Sequence, residues 1–111
     1  MLTTGGWAQA QTFEQSNAAY ERKDYRTAFA GFKRLAEQGD ARAQTILGLM
    51  YNDGTSVPKD KRQAVAWLRK AAEQGNAIAQ LNLGVMYAIG KGVPKDEQSA
   101  YFWWQIGRAH V

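Results

Sequence analysis

Few residues in this chain have the types and spacings that chemistry requires, and each has a plainer reading. Gly90-Lys91-Gly92 carries the glycine and lysine of a phosphate-cradling loop. Such a loop needs four residues between its glycines and a Ser or Thr after the lysine, so that N–H groups and a hydroxyl meet phosphate and magnesium. Here one residue separates the glycines, a glycine follows the lysine, and the aligned stretch Gly54-Thr55-Ser56 has no lysine. The segment reads as a helix stop followed by a turn. His110 is the single histidine. One terminal imidazole neither completes a nucleophile–base triad nor closes a metal site. Cysteine is absent, which removes thiolate catalysis, cysteine metal ligands and disulfides. Asp60 and Asp96 read as helix caps, and Glu37 and Glu73 fall one repeat apart, so no acid–base pair emerges. The chain reads as a non-enzyme, with no metal and no cofactor expected.

Basic doublets are a further candidate. Lys33-Arg34 and Arg69-Lys70 recur at equivalent positions, beside Lys61-Arg62, and would form a positive stripe. A net charge of +4 spread over 14 cations and 10 anions is weakly basic. Solvated cations account for it, and nucleic acid is not the expected partner.

The elements that must position any site are written twice. Residues 36–71 read AEQGDARAQTILGLMYNDGTSVPKDKRQAVAWLRKA, and residues 72–107 read AEQGNAIAQLNLGVMYAIGKGVPKDEQSAYFWWQIG. Eighteen of the 36 aligned positions are identical without a gap. A period between 20 and 50 residues marks a stacked-repeat architecture. Gly39 offers a helix stop and Asp40 a cap for the next helix. Ala43, Leu47, Met50 and Tyr51 then follow the spacing of one helical face. Gly48, repeated as Gly84, costs about 1 kcal/mol inside a helix, which predicts a close backbone neighbour there. Gly54 ends that helix, and Val57-Pro58 forms an extended connection. Asp60 and Gln63 have capping-box spacing for a second helix through Ala64, Trp67, Leu68 and Ala71. The second copy repeats the scheme with Asn76, Ala79, Leu83, Tyr87, Gly90, Asp96, Ala100, Trp103 and Trp104. Residues 24–39 align with 60–75, and a helix near 11–22 precedes them through a Lys23-Asp24 turn. The organisation expected is a leader at 1–10, a divergent first pair at 11–38, repeat two at 39–74 and repeat three at 75–111.

Four blocks recur in order: Ala-Glu-Gln-Gly-[Asp/Asn]-Ala-x-Ala-Gln, Leu-Gly-x-Met-Tyr, Gly-x-x-Val-Pro-Lys-Asp and Ala-x-x-Trp. This order resembles the signature of Sel-one-like repeats, a branch of the tetratricopeptide-like α/α repeats with a longer loop inside each pair. The match covers 36–107 closely and 13–35 more loosely. The resemblance implies an all-α fold, a right-handed α/α solenoid of about three antiparallel helix pairs with a concave inner surface. It implies second helices on the convex side, an adaptor role, and no catalytic residues.

Positions that differ between copies are where specificity is expected. On the arc of the first helix opposite Ala43, Leu47 and Tyr51 lie Arg42, Thr45, Leu49, Asn52 and Asp53. The second copy has Ile78, Leu81, Val85, Ala88 and Ile89 there, all apolar, with Asn82 at the edge. Either an adjacent helix covers this arc, or it forms part of a ligand groove. In the groove reading, a peptide or a partner's helix buries Leu81, Val85 and Ile89, while Thr45, Asn52 and Asn82 fix its orientation. The C-terminal AYFWWQI raises a similar question. Ala100, Trp103 and Trp104 are expected in the core, while Tyr101, Phe102 and Ile106 replace Val65, Ala66 and Lys70. A terminal repeat should be polar outside, so this surface implies either a missing capping helix or self-association into a homo-oligomer.

No apolar run reaches the ~18 residues of a membrane span. Ala8-Gln9-Ala10 resembles the motif before a signal-peptidase cut, although the basic start and long apolar stretch are missing. It is the trimmed end of a signal or a disordered polar leader; the first reading gives a periplasmic or secreted location, with a cytoplasmic one left open. The expected function is a non-enzymatic interaction module for a protein or peptide. The alternatives are an immunity or inhibitor protein against one toxin or enzyme, and a secreted cell-wall or β-lactam hydrolase.

Overall fold

A computed structural model describes residues 12–109. The 1–10 leader and His110 lie outside the described residues. Within them the chain forms six helices and no strand: α1 Phe13–Glu21, α2 Tyr25–Glu37, α3 Ala41–Asp53, α4 Lys61–Glu73, α5 Ala77–Ile89 and α6 Glu97–Ala109. Extensive packing joins only helices consecutive in the chain, so the molecule is a stack of three antiparallel pairs, 54 × 27 × 20 Å.

Each helix start has a side-chain oxygen to accept from its first free N–H groups. Thr12 and Gln15 close a full capping box ahead of α1, at 3.1 and 2.9 Å. Asp24, Asp40, Asp60, Asn76 and Asp96 cap the other five. The hydroxyl of Ser99 and the N–H groups of Ser99 and Gln98 hold the Asp96 carboxyl below its ordinary range. The capping box expected at Asp60 and Gln63 forms only by half. The Asp60 carboxylate accepts from the Gln63 N–H at 3.1 Å, but its own N–H donates to the Tyr51 carbonyl. Asp96 repeats this bond to Tyr87. The N–H that a box would use closes the loop instead.

Those loops begin where Gly54 and Gly90 turn left-handed, φ +76 and +68. The core lies between the helices in two clusters. Ala19, Ala28, Phe32, Ala36, Ala43, Leu47 and Met50 fill the first, across α1, α2 and α3. Ala64, Val65, Leu68, Ala71, Ala72, Ala79, Leu83 and Met86 fill the second, across α4 and α5. Tyr51 packs against both, tying neighbouring pairs together. The many alanines let helices approach closely, and Gly48 takes this furthest. A Cβ there would lie 2.8 Å from Leu68 Cγ and 3.1 Å from the Ala64 carbonyl oxygen, the close backbone approach that its sequence position predicts.

One core assignment fails. Leu68 is 1% exposed, whereas its counterpart Trp104 is 45% exposed. Periodicity places both against the partner helix of the pair, and Trp104 does meet Gly84 through Cδ1. Leu68 lies in a core that α5 helps to enclose, while none of the described helices follows α6 to close over Trp104.

Candidate interaction surfaces

The first-helix residues singled out by repeat comparison differ in their surroundings. Thr45 is buried, and its hydroxyl donates to the Ala41 carbonyl at 2.9 Å. It is not free to orient a ligand, a correction to the expectation from the helical arc. Arg42 lies over the Phe13 ring at 4.0 Å and also meets the Asp40 carboxylate. Asn52 accepts from Lys61 Nζ through its backbone and side-chain oxygens, at 2.8 and 3.0 Å. Desolvation of Lys61, with Lys91 and Lys59 close by, pulls its ammonium below the ordinary value.

Leu49 is half-buried beside the second core cluster. It also lines a groove of about 240 Å³ between α1 and α3, with Asn17, Tyr20, Ile46, Met50 and Asp53. Asn17, Tyr20 and Ile46 were not among the candidates read from the sequence. For Ile46 a signal existed, since it stands 36 residues before Asn82. Asn17 and Tyr20 lie in the divergent first helix, where no aligned copy points to them.

On α5 the arc divides. Ile78, Val85 and Ile89 are 56, 43 and 57% exposed. With Asn82 they follow i, i+4, i+7, i+11 and so form one narrow stripe. The Asn82 amide donates to the Ile78 carbonyl at 2.9 Å. Leu81 instead turns toward α6, its Cδ2 3.0 Å from where a Cβ on Gly107 would stand. There it lines a second groove, about 540 Å³, with Tyr101, Trp104, Gln105 and Arg108.

The C-terminal trio also separates. Tyr101 faces this groove, whereas Phe102 is exposed and set edge-on to Trp103 at 5.1 Å. Ile106 is half-buried and shares the Phe102 side of α6; Phe102 is about 100° and Ile106 about 140° around the helix from Tyr101. The basic doublets differ in their surroundings. The Arg69 guanidinium bonds to the Tyr87 hydroxyl and Lys70 lies over Trp67, while Lys33 and Arg34 are exposed. Among the described residues, no cluster of three or more His, Asp or Glu could hold a metal, and no helix is long and apolar enough to cross a membrane.

Capped antiparallel helix pairs, a glycine-pinned loop repeated in two of them and extensive packing between consecutive helices define an α-helical repeat solenoid. The chain belongs to the Sel1 repeat family, whose model matches residues 16–40, 41–76 and 77–107. Sel1 repeats generally mediate protein–protein interaction and are typically non-enzymatic. The structure is similar to a Sel1 repeat protein of Oxalobacter formigenes, with TM-score 0.84 and 31% identity over 89% of this chain and 40% of that one. It is also similar to a protective antigen of uropathogenic Escherichia coli strains that displays an SLR fold, with TM-score 0.76 and 31% identity over 87% of this chain and 23% of that one. Cysteine-rich protein B of Helicobacter pylori gives TM-score 0.73 and 27% identity, over 76% and 63% of the two chains. The chain thus spans less than two thirds of each of these proteins. No curated protein sequence matches it.

Proposed function

We propose that the chain is a docking module that takes a peptide segment or a partner's helix on the face presented by its first helices. The observation that carries this reading is the exposed stripe of Ile78, Val85 and Ile89 on α5, with the Asn82 amide group between them. Water is a poor neighbour for three branched apolar side chains in one line, so an occupant that buries them gains about 25 cal/mol per Å² covered. Asn82 Oδ1 adds an acceptor in mid-stripe. The groove between α1 and α3, rimmed by Asn17 and Asp53, offers a second anchor point on the same set of helices. Arg42, set on the Phe13 ring, gives that end a cation held in place. Leu81 and Thr45 drop out of the contact set. A pull-down from the source organism, comparing wild type with Ile78→Asp/Val85→Asp, tests the face. Loss of stoichiometric partners in the variant supports it; equal capture by a variant of unchanged helicity rejects it.

A further inference from the structure

The groove between α5 and α6 occupies a position that is filled elsewhere in the same molecule. Displaced by one repeat, Leu81, Tyr101, Trp104 and Arg108 correspond to Thr45, Val65, Leu68 and Ala72, all buried. There α5 lies antiparallel on α4, with Gln80 donating to the Ala72 carbonyl and Gly92 seated on Lys61 and Val65. Tyr101 is 64% exposed where Val65 is 5%. The place therefore fits an antiparallel helix.

Its chemistry, however, is altered. Ala36 and Ala72, the small residues under each following helix, are replaced by Arg108, and Lys61 is replaced by Glu97. A helix stacked as closely as α5 on α4 would cover the Arg108 guanidinium, which a carboxylate on the occupant would pair. Glu97, Tyr101, Trp104 and Arg108 follow i, i+4, i+7, i+11, one stripe of α6. Read in reverse, the stripe complements itself. Residues 97 and 108 are centred on the same point as 101 and 104. Arg108 and Tyr101 are aligned along it by Gln105, which accepts from the first and donates to the second. Glu97 is exposed, with only a loose contact to Lys95 at 3.8 Å.

We propose that α6 pairs antiparallel with α6 of a second copy of this chain, about a twofold axis passing between Tyr101 and Trp104. At a shallow crossing each Glu97 meets the partner's Arg108, and the aromatic side chains fill the two α5–α6 grooves. This surface is centred on α6 and reaches α5 at Leu81, whereas the stripe proposed for a partner is centred on α5.

Sedimentation velocity across the micromolar range tests the pairing. Wild type is expected to shift from 12.4 kDa to twice that mass. Glu97→Arg or Arg108→Glu alone sets two like-charge contacts in each dimer and weakens association by about tenfold or more. The double variant restores it, and so does an equimolar mixture of the two single variants, because each twofold contact again joins opposite charges. Circular dichroism confirms that every variant keeps its helices; the side chains exchanged are exposed. Monomer at all wild-type concentrations, open-ended assembly, a dimer indifferent to both reversals, or singles that do not pair on mixing would each overturn the proposal.

Discussion

Gly48 and Gly84 stand at the same place in two copies, yet alanine should act differently at each. At Gly48 the added Cβ meets Leu68 Cγ at 2.8 Å, inside a closed core. Overpacking against a side chain enclosed in a core, at the upper part of the usual cost of about 1–3 kcal/mol, outweighs the ~1 kcal/mol gained in helix propensity. At Gly84 the nearest atom is Trp104 Cδ1, on a ring with its outer side in solvent. That ring can swing aside. Urea unfolding should therefore show Gly48→Ala destabilised by about 1 kcal/mol or more and Gly84→Ala near neutral. Equal effects would refute this account of the two sites. Sequence reading placed both glycines beside a close backbone neighbour, because a repeated helix-interior glycine has few other uses. It could not foresee the exposure of Trp104 or the burial of Thr45. Periodicity tells which way a side chain points along its own helix, whereas exposure depends on which helix lies beyond.

Between elements, the repeat-to-repeat contact carries a buried amide at a fixed place. Gln44 Nε2 donates to the Ala36 carbonyl at 3.1 Å, and Gln80 Nε2 to Ala72 at 3.0 Å. Their carbonyl ends differ. Gln44 Oε1 accepts from Gln74 at 2.8 Å, while Gln80 Oε1 is buried without a hydrogen-bond partner among the described residues. Replacement by methionine removes the donor to a buried carbonyl in both cases, at about 1–3 kcal/mol. In Gln80→Met it also removes an acceptor that gains nothing in the fold. The expected result is that Gln44→Met costs more, by about 1 kcal/mol; a larger loss for Gln80→Met would reverse the assignment. Glutamines 44 and 80 looked like two identical letters of a repeat, with no sign of this role. The caps, by contrast, were legible at Asp40, Asp60, Asn76 and Asp96, since a cap acts within three residues of itself. Gln44 acts across eight residues in one direction and thirty in the other.

At the scale of the molecule, packing that is extensive only between consecutive helices makes stability approximately a sum of pair and interface terms. The middle pair, α3 and α4, is buttressed on both sides, and each end pair on one. At the N-terminal end, α1 has nine residues against thirteen in the others and packs extensively only on α2. Opening it sacrifices one interface, whereas opening α3 sacrifices two. Native-state hydrogen exchange at low protein concentration should thus find the slowest amides in α3, α4 and α5. Those of α1 and the last turns of α6 should exchange at least about tenfold faster, the equivalent of one interface worth ~1.4 kcal/mol. Uniform protection along the chain would mean that the three pairs open as one unit and that the additive picture is wrong. Raising the concentration separates the two ends. A twofold pairing through α6 covers that helix and leaves α1 bare, so protection should climb in α6 while α1 stays fast. Parallel changes in both helices would instead indicate head-to-tail stacking of the solenoid and overturn the twofold pairing.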